Sequence, residues 1–171
     1  MKHIFILLLL FTSGFASLDD INSFEADFVQ TVSDENNKIL NYSGSIIAAK
    51  PQNVKWNYIK PVKKNVYIDT HTVTIVEPEI EQVIIKEIDS NFNFFNMIHN
   101  AEKVKENTFV TNFKESKFTI TTKNNFIKSI SYVDEFENKV MIVFENQKQN
   151  ESVDVKLFVP KFPSNFDIIK D

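Results

Sequence analysis

The chain has 171 residues and a formal net charge of −4, with 19 lysines, no arginine and no cysteine. The absence of cysteine excludes disulfides, thiol chemistry and cysteine-ligated metals. An acidic chain with scattered lysines argues against nucleic acid as a partner, while 17 phenylalanines require either a large core or an apolar ligand.

Residues 1–16 are predicted to be a cleavable secretory signal peptide. Lys2 precedes an apolar run over residues 4–11, and Ala16 completes a cleavage site of small residues. The run is shorter than the roughly 20 residues that a membrane-spanning helix needs, which argues against a membrane anchor. We therefore expect a single exported domain over 17–171, without a cysteine to carry a lipid anchor.

The first half of this domain is predicted to be rich in strands. Leu18 and Ile21 share one side of a short amphipathic stretch, which leads into alternation in which Phe24, Ala26, Phe28, Gln30 and Val32 share one face. Further strand-like runs follow at 38–50, 53–59, 64–69, 72–76 and 81–86. This pattern predicts an antiparallel sheet.

The second half repeats the strand pattern after one helical interruption. Between residues 89 and 104, apolar residues recur at helical spacing at Phe92, Phe95 and Ile98, and Phe94 and Met97 widen the stripe. Asp89 or Ser90 is the expected N-cap, with the helix continuing to Ala101 or Glu102. Strand-like runs then follow at 108–114, 117–122, 126–134, 138–146 and 153–159.

A sheet of about ten or eleven strands must curl, close or be covered. The two short amphipathic segments are too small to fill so wide a sheet, so an apolar hollow is expected beneath them. Gly44 is the only glycine after the predicted signal, and the turns must therefore rely on Asn and Asp.

Trp56 is the only tryptophan and alternates with Val54 and Tyr58 on one strand face. From the residues alone, an ordinary sheet core is favoured for these three side chains over the wall of a ligand cavity. The excess of phenylalanine in the predicted helix favours a lid, because it covers more than the single face that a surface helix needs. Met97 adds adaptability toward an irregular guest.

Several short motifs, taken in order, resemble the LolA-like family of periplasmic outer-membrane lipoprotein carriers. The residues that carry the resemblance are Phe24, Ala26, Phe28, Gln30, Tyr42, Gly44, Lys50-Pro51, Trp56, Tyr58, Pro61, Glu77-Pro78, Gln82, Phe158, Pro160 and the closing FPSNFDII. They span nearly the whole chain after the predicted signal.

The resemblance implies a mainly β fold, an incomplete and half-open antiparallel β-barrel of about 11 strands with a helical lid over an apolar cavity. It implies a soluble, monomeric carrier that takes lipoprotein acyl chains from an inner-membrane ABC transporter to an outer-membrane acceptor. The expected acyl-chain residues are Leu18, Ile21, Phe28, Val32, Val54, Trp56, Tyr58, Phe92, Phe94, Phe95, Met97 and Ile98. No cofactor or metal is implied.

The chain departs from the family pattern at two places. Lys50 stands where these carriers typically have an arginine that holds the lid, and lysine lacks the planar fork of five donors. As the expected lid latch, Lys50 should allow easier opening. The family's Asp-Gly turn is also replaced by Asp69-Thr70-His71.

Other functions remain as alternatives. A carrier for another lipid or a glycolipid would use the same hollow, and a lipoprotein-sensing regulatory module would share the fold but usually has a second domain. His71 and His99 lack metal-ligand spacing, so they are expected to be surface or lid residues. Glu77, Glu79 and Glu81 are expected to form a solvated edge rather than a glycosidase pair, and we expect no enzymatic activity.

Overall fold

The computed structural model describes residues 18–88 and 94–170, which form one open sheet and one short helix. The twelve strands are β1 Ser23–Ser33, β2 Ile39–Ala49, β3 Asn53–Lys60, β4 Lys64–Ile68, β5 Thr72–Glu77, β6 Gln82–Glu87, β7 Glu102–Lys105, β8 Thr108–Phe113, β9 Ser116–Lys123, β10 Phe126–Val133, β11 Lys139–Gln149 and β12 Asp167–Lys170. The helix α1 is Phe94–His99.

The strands pair in the order β12-β6-β5-β4-β3-β2-β1-β11-β10-β9-β8-β7, with β12 and β7 at the two edges. All neighbours are antiparallel except β12, which is parallel to β6. The predicted open, mainly β fold with few helices is therefore confirmed, with twelve strands instead of about eleven. Residues 1–17 lie outside the described residues, so the signal peptide and the domain boundary stay predictions.

Alternation in β1 decides which face of the sheet becomes the core. Phe24, Ala26 and Phe28 are buried, whereas Glu25 and Asp27 are exposed on the other face. Because β1 lies between β2 and β11, its inward side chains stand at the centre of the sheet. The predicted inward face of this strand is confirmed.

Asparagine takes the backbone conformations that glycine would otherwise supply. Asn124 and Asn125 join β9 to β10 with φ of 52° and 65°. Two consecutive positive φ values match the right-handed twist of a tight hairpin, and Asn tolerates them better than most residues. Asn37, Asn107, Asn146 and Asn150 also have positive φ, as do Glu81, Lys114 and Glu137, so asparagine takes most of these positions and no aspartate takes one.

The Asp69 side chain organises the turn between β4 and β5. Its Oδ1 accepts the backbone N–H groups of His71 and Thr72 at 2.8 Å each, and its Oδ2 accepts the Thr72 hydroxyl at 2.9 Å. Burial alone would raise the pKa of Asp69, but these hydrogen bonds lower it overall. A carboxylate-anchored turn thus stands where the resemblance implies an Asp-Gly turn, and His71 is a turn residue.

Four elements differ from the prediction. The predicted strand over 153–159 is a 3₁₀ turn, Val155–Phe158, because the Asp154 carboxylate accepts the Lys156 N–H at 3.0 Å and caps it. Neither β7 nor β12 was predicted. Helix α1 ends at His99 and not at Ala101 or Glu102, since Glu102 begins β7; its predicted N-cap and Phe92 lie outside the described residues.

A second apolar cluster lies on the convex face of the sheet. Tyr67, Val76 and Val83 are buried there beneath Phe162 and Phe166 of the C-terminal segment. Tyr67 faces away from Trp56 because the strand partner of Trp56 is the preceding residue of β4. The C-terminal segment therefore covers the outside of the sheet and leaves the concave face to the helix.

Candidate functional site

The concave face carries a connected set of aromatic rings. Phe28 meets Trp56 edge to face with 5.0 Å between ring centroids and meets Tyr58 similarly at 5.1 Å. Phe24 meets Phe144 of β11 edge to face at 5.2 Å. Each such pair adds about 0.5–1.5 kcal/mol beyond its area burial. Ring contacts therefore stabilise this wall across three strands.

Helix α1 and the 3₁₀ turn Leu18–Asp20, together called the lid, cover one end of the concave face. The Phe94 ring lies 5.4 Å from that of Phe95 and 5.7 Å from that of Phe24. Phe95 and Ile98 are almost fully buried. A helix of six residues is unstable in isolation, so these apolar contacts hold the lid in place.

A small hollow of about 100 Å³ lies between the lid and the concave face. It is lined by Gln52, Val54, Trp56, Ile68, Phe94, Met97, Phe118, Ile130, Tyr132 and Ile142. None of these side chains is charged, and most are apolar, which suits an apolar guest. Ligand pockets usually measure about 300–1,000 Å³, so a long-chain guest requires the lid to move outward.

The structure brings the described members of the predicted acyl-chain set into one apolar cluster. Its members from that set are Leu18, Ile21, Phe28, Val32, Val54, Trp56, Tyr58, Phe94, Phe95, Met97 and Ile98, while Phe92 lies outside the described residues. Val54, Trp56, Phe94 and Met97 line the hollow itself. Their contact with a guest stays a prediction.

Sequence reasoning missed the opposite wall of the hollow. Phe118, Ile130, Tyr132 and Ile142 belong to β9, β10 and β11 and line the hollow together with Gln52 and Ile68. The alternation in those strands was visible in the sequence. Which face of these strands lines the hollow depends, however, on strand pairing. β11 pairs with β1, and the paired residues are more than 100 positions apart in the sequence.

Lys50 lies beside the lid. It follows β2, and its backbone N–H donates to the carbonyl of Asn22 at 2.9 Å. Lys50 and Pro51 line an open surface groove together with Phe95, Asn96 and His99 of α1. This position suits a residue that restrains the lid, and the latch role stays a prediction. His99 belongs to the same groove, as expected of a lid residue.

The other candidate polar residues lie apart from the hollow. Glu77 ends β5, Glu79 lies in the 3₁₀ turn that follows, and Glu81 precedes β6 in a left-handed conformation. Among residues 18–88 and 94–170, no three His, Asp or Glu side chains are placed to hold a metal ion.

In the same residues, no helix is long and apolar enough to cross a bilayer.

Tyr58 lies at the border between the apolar hollow and a more polar end of the concave face. Its hydroxyl donates to Gln30 Oε1 at 3.1 Å. Burial, with smaller contributions from Tyr132 and Tyr42, raises the pKa of Tyr58 to about 12. Burial also raises the pKa of Tyr132, with Asp134 adding to the effect. Both hydroxyls therefore stay protonated at neutral pH.

The raised pKa of Tyr58 predicts a loss of stability in alkali. Below pH 10 the phenol is protonated in both states, but between pH 10 and about 12 only the unfolded chain loses its proton. We expect this difference to lower the free energy of unfolding by about 2 kcal/mol. Urea titrations of the wild type and Tyr58→Phe at pH 9 and pH 11.5 measure it. An equal loss in both proteins contradicts the prediction.

Comparison with known proteins assigns the family. A family model described as outer membrane lipoprotein carrier protein LolA matches residues 19–111. The chain is 36% identical over 171 residues to the outer-membrane lipoprotein carrier protein of Campylobacter jejuni, covering 99% of this chain and 100% of that one. The chain belongs to the LolA family.

Further comparisons agree with LolA-family membership. The outer-membrane lipoprotein carrier protein of Wolinella succinogenes is 28% identical over 156 residues, which cover 91% of each chain. A crystal structure of a LolA superfamily protein from Nitrosomonas europaea has a TM-score of 0.53 at 8% identity, covering 84% of this chain and 94% of that one. That structural likeness supports the fold alone.

Substituting Lys50 by arginine is expected to tighten the lid. The guanidinium group offers more donors toward α1 in a fixed plane, and one added hydrogen bond of about 1 kcal/mol corresponds to about a fivefold change. We expect Lys50→Arg to slow the binding of an uncharged fluorescent apolar reporter by that factor in stopped-flow mixing. Lys55→Arg on the convex face serves as the control. Unchanged or faster binding in Lys50→Arg shows that residue 50 is no latch.

Proposed function

We propose that this protein is a periplasmic, non-enzymatic carrier that binds the acyl chains of lipoproteins beneath its lid and moves them from the inner to the outer membrane. The observation that carries this proposal is the hollow of uncharged side chains between Trp56 and Phe94. LolA-family membership supports lipoproteins as the cargo class. An inner-membrane ABC transporter would load the carrier, and an outer-membrane acceptor would receive the cargo.

Apolar burial supplies the binding free energy in this proposal. Each Å² of apolar surface removed from water contributes roughly 25 cal/mol, so a long acyl chain contributes several kcal/mol. The hollow is too small for such a chain while Phe94 rests near Phe24. Loading therefore requires the lid to swing away from the sheet, exposing rings that the guest then covers.

The same lid makes the binding of cargo reversible. When the guest leaves, Phe94, Phe95 and Ile98 regain the contacts with the core that they have in the empty state. The recovered apolar contact offsets part of the loss of guest contact. A carrier whose lid closes on its own core in this way can bind an apolar cargo and still release it.

The test is a release assay on spheroplasts that contain the transporter. Protein purified from the periplasm is added, and labelled, fully acylated lipoprotein is followed from the membrane to the supernatant. We expect release as a one-to-one complex. A cargo variant whose acylated cysteine is replaced is the control and should stay unbound.

Two outcomes of this assay contradict the proposal. Failure to release acylated cargo from spheroplasts with an active transporter removes the carrier function. Equal binding of the non-acylated cargo shows that the acyl chains are not what is recognised. Mass spectrometry of lipids that co-purify with the protein then separates a carrier of another lipid or glycolipid from a protein without a lipid cargo.

A further inference from the structure

The concave face becomes more polar with distance from the lid. At the lid end, Phe24 is covered by Phe94. Six residues further along β1, about 20 Å at the usual rise of a strand, Gln30 stands opposite Tyr42 of β2. Phe28 lies between the two ends and contacts both Trp56 and Tyr58. Trp56, which lines the hollow, stacks on Tyr58 with 6.3 Å between ring centroids, so the polar, aromatic end of the face begins one ring beyond the wall of the hollow.

Lys64 brings a positive charge to this polar end. It is the strand partner of Tyr58, and its Nζ lies 4.7 Å from the centroid of the Tyr58 ring and 5.8 Å from that of Tyr42. The two rings meet edge to face at 5.9 Å. Cation–π attraction holds the ammonium group over the rings and leaves its N–H donors available to an acceptor.

Side chains next to Lys64 add further hydrogen-bond donors. Gln30 uses its carbonyl oxygen to accept the Tyr58 hydroxyl, so its amide N–H groups remain as donors. Tyr42, whose ring meets that of Tyr58 edge to face at 5.9 Å, adds a further hydroxyl. These groups together suit a ligand that is rich in acceptors and carries negative charge.

The Asp134 carboxylate is hydrogen-bonded within its own turn and not to Lys64. Asp134, whose charge reaches Tyr132, accepts the backbone N–H groups of Phe136 and Asn138 at 2.9 Å each within its own turn. Within residues 18–88 and 94–170, no carboxylate forms an ion pair with Lys64. The cation is thus directed at aromatic faces instead of an acidic partner.

We propose that Gln30, Tyr42, Tyr58 and Lys64 form a head-group subsite, which binds the anionic head of an amphiphile whose chain lies in the hollow. This inference rests on the proposed function, since it requires the hollow to accept an alkyl chain. It adds a selectivity that an apolar cavity alone does not have. Amphiphiles with a negative head bind more tightly than uncharged ones of the same chain length.

The test compares two ligands that share a twelve-carbon chain. Laurate and dodecanol, each kept below its aggregation concentration at pH 8, compete with the uncharged fluorophore N-phenyl-1-naphthylamine for the wild-type protein. A hydrogen bond to a charged group corresponds to about a tenfold change in affinity, so laurate is expected to bind about tenfold more tightly than dodecanol.

Variants assign that preference to the subsite. Lys64→Gln should bring laurate down to the affinity of dodecanol and leave dodecanol unchanged, while Lys64→Arg should keep the preference. Lys55→Gln is the matched control, because Lys55 Nζ lies 5.2 Å from the Tyr67 ring centroid on the convex face. An unaltered preference in Lys64→Gln overturns the subsite.

The remaining outcomes separate this inference from the proposed function. Tight binding of dodecanol without a preference for laurate overturns the subsite and leaves the hollow intact. Failure of both ligands to displace the fluorophore overturns both proposals. Sodium acetate at matched ionic strength should not reduce the laurate preference; if it does, the site binds free anions and not the heads of amphiphiles.

Discussion

Replacing Trp56 by alanine is expected to lower lipoprotein release by about tenfold while the protein remains folded. Trp56 lines the hollow and contacts Phe28. A tryptophan side chain offers roughly 200 Å² of contact area, and if a third of it meets the guest the loss is about 1.5 kcal/mol, or about tenfold in affinity. The spheroplast release assay measures the effect directly.

Stability must be measured beside release. Trp56 is only half-buried, so its truncation should cost about 2 kcal/mol, less than the roughly 3–5 kcal/mol of a fully buried aromatic residue. Tyr67→Ala is the matched control, since it removes an aromatic side chain of the neighbouring strand from the convex cluster. Tyr67→Ala should lose stability and still release cargo. Equal losses of release in both variants show that Trp56 acts only through folding.

Replacing Gly44 by alanine is expected to destabilise the sheet by about 3 kcal/mol or more, at the upper end of the cost of overpacking. A Cβ at this position would lie 1.9 Å from the backbone oxygen of Asn57 and 3.0 Å from the Cα of Tyr58. These are backbone atoms of β3, and only separation of β2 from β3 relieves the overlap. Urea denaturation and the yield of folded protein measure the loss.

The neighbouring residue of β2 provides the control for Gly44. Ser45→Ala changes the next position and adds no atom, so its free energy of unfolding should remain within about 0.5 kcal/mol of the wild type. Near-normal stability of Gly44→Ala contradicts the close approach of the two strands. Because total stability is only about 5–15 kcal/mol, we expect Gly44→Ala to reduce expression as well.

Some of the site was readable from local pattern. The alternation around Phe24 and Phe28 identified the inward face of β1, and Val54, Trp56 and Tyr58 share the inward face of β3. The helical spacing of Phe95 and Ile98 marked the lid. Each of these assignments depends on residues within a few positions of one another, where strand and helix periodicities operate.

Other parts depended on contacts between distant segments. The role of Tyr132 as both a wall of the hollow and a neighbour of Tyr58 requires β10 to curl toward β3. The strand β12 was missed because its pairing with β6 brings together residues more than 80 positions apart. The segment before it reads as a strand by composition, but the capping carboxylate of Asp154 turns it into a 3₁₀ turn.

Local patterns in the chain were enough to predict the strand-rich class, the use of asparagine in turns, the inward faces of the first strands and the resemblance to lipoprotein carriers. The folded arrangement sets which rings face one another across the hollow, how far the lid closes it, and that Lys64 lies over Tyr58 and Tyr42. Periodicity is a local property of the chain. Register and curvature arise only when strands far apart in sequence pair and share one core.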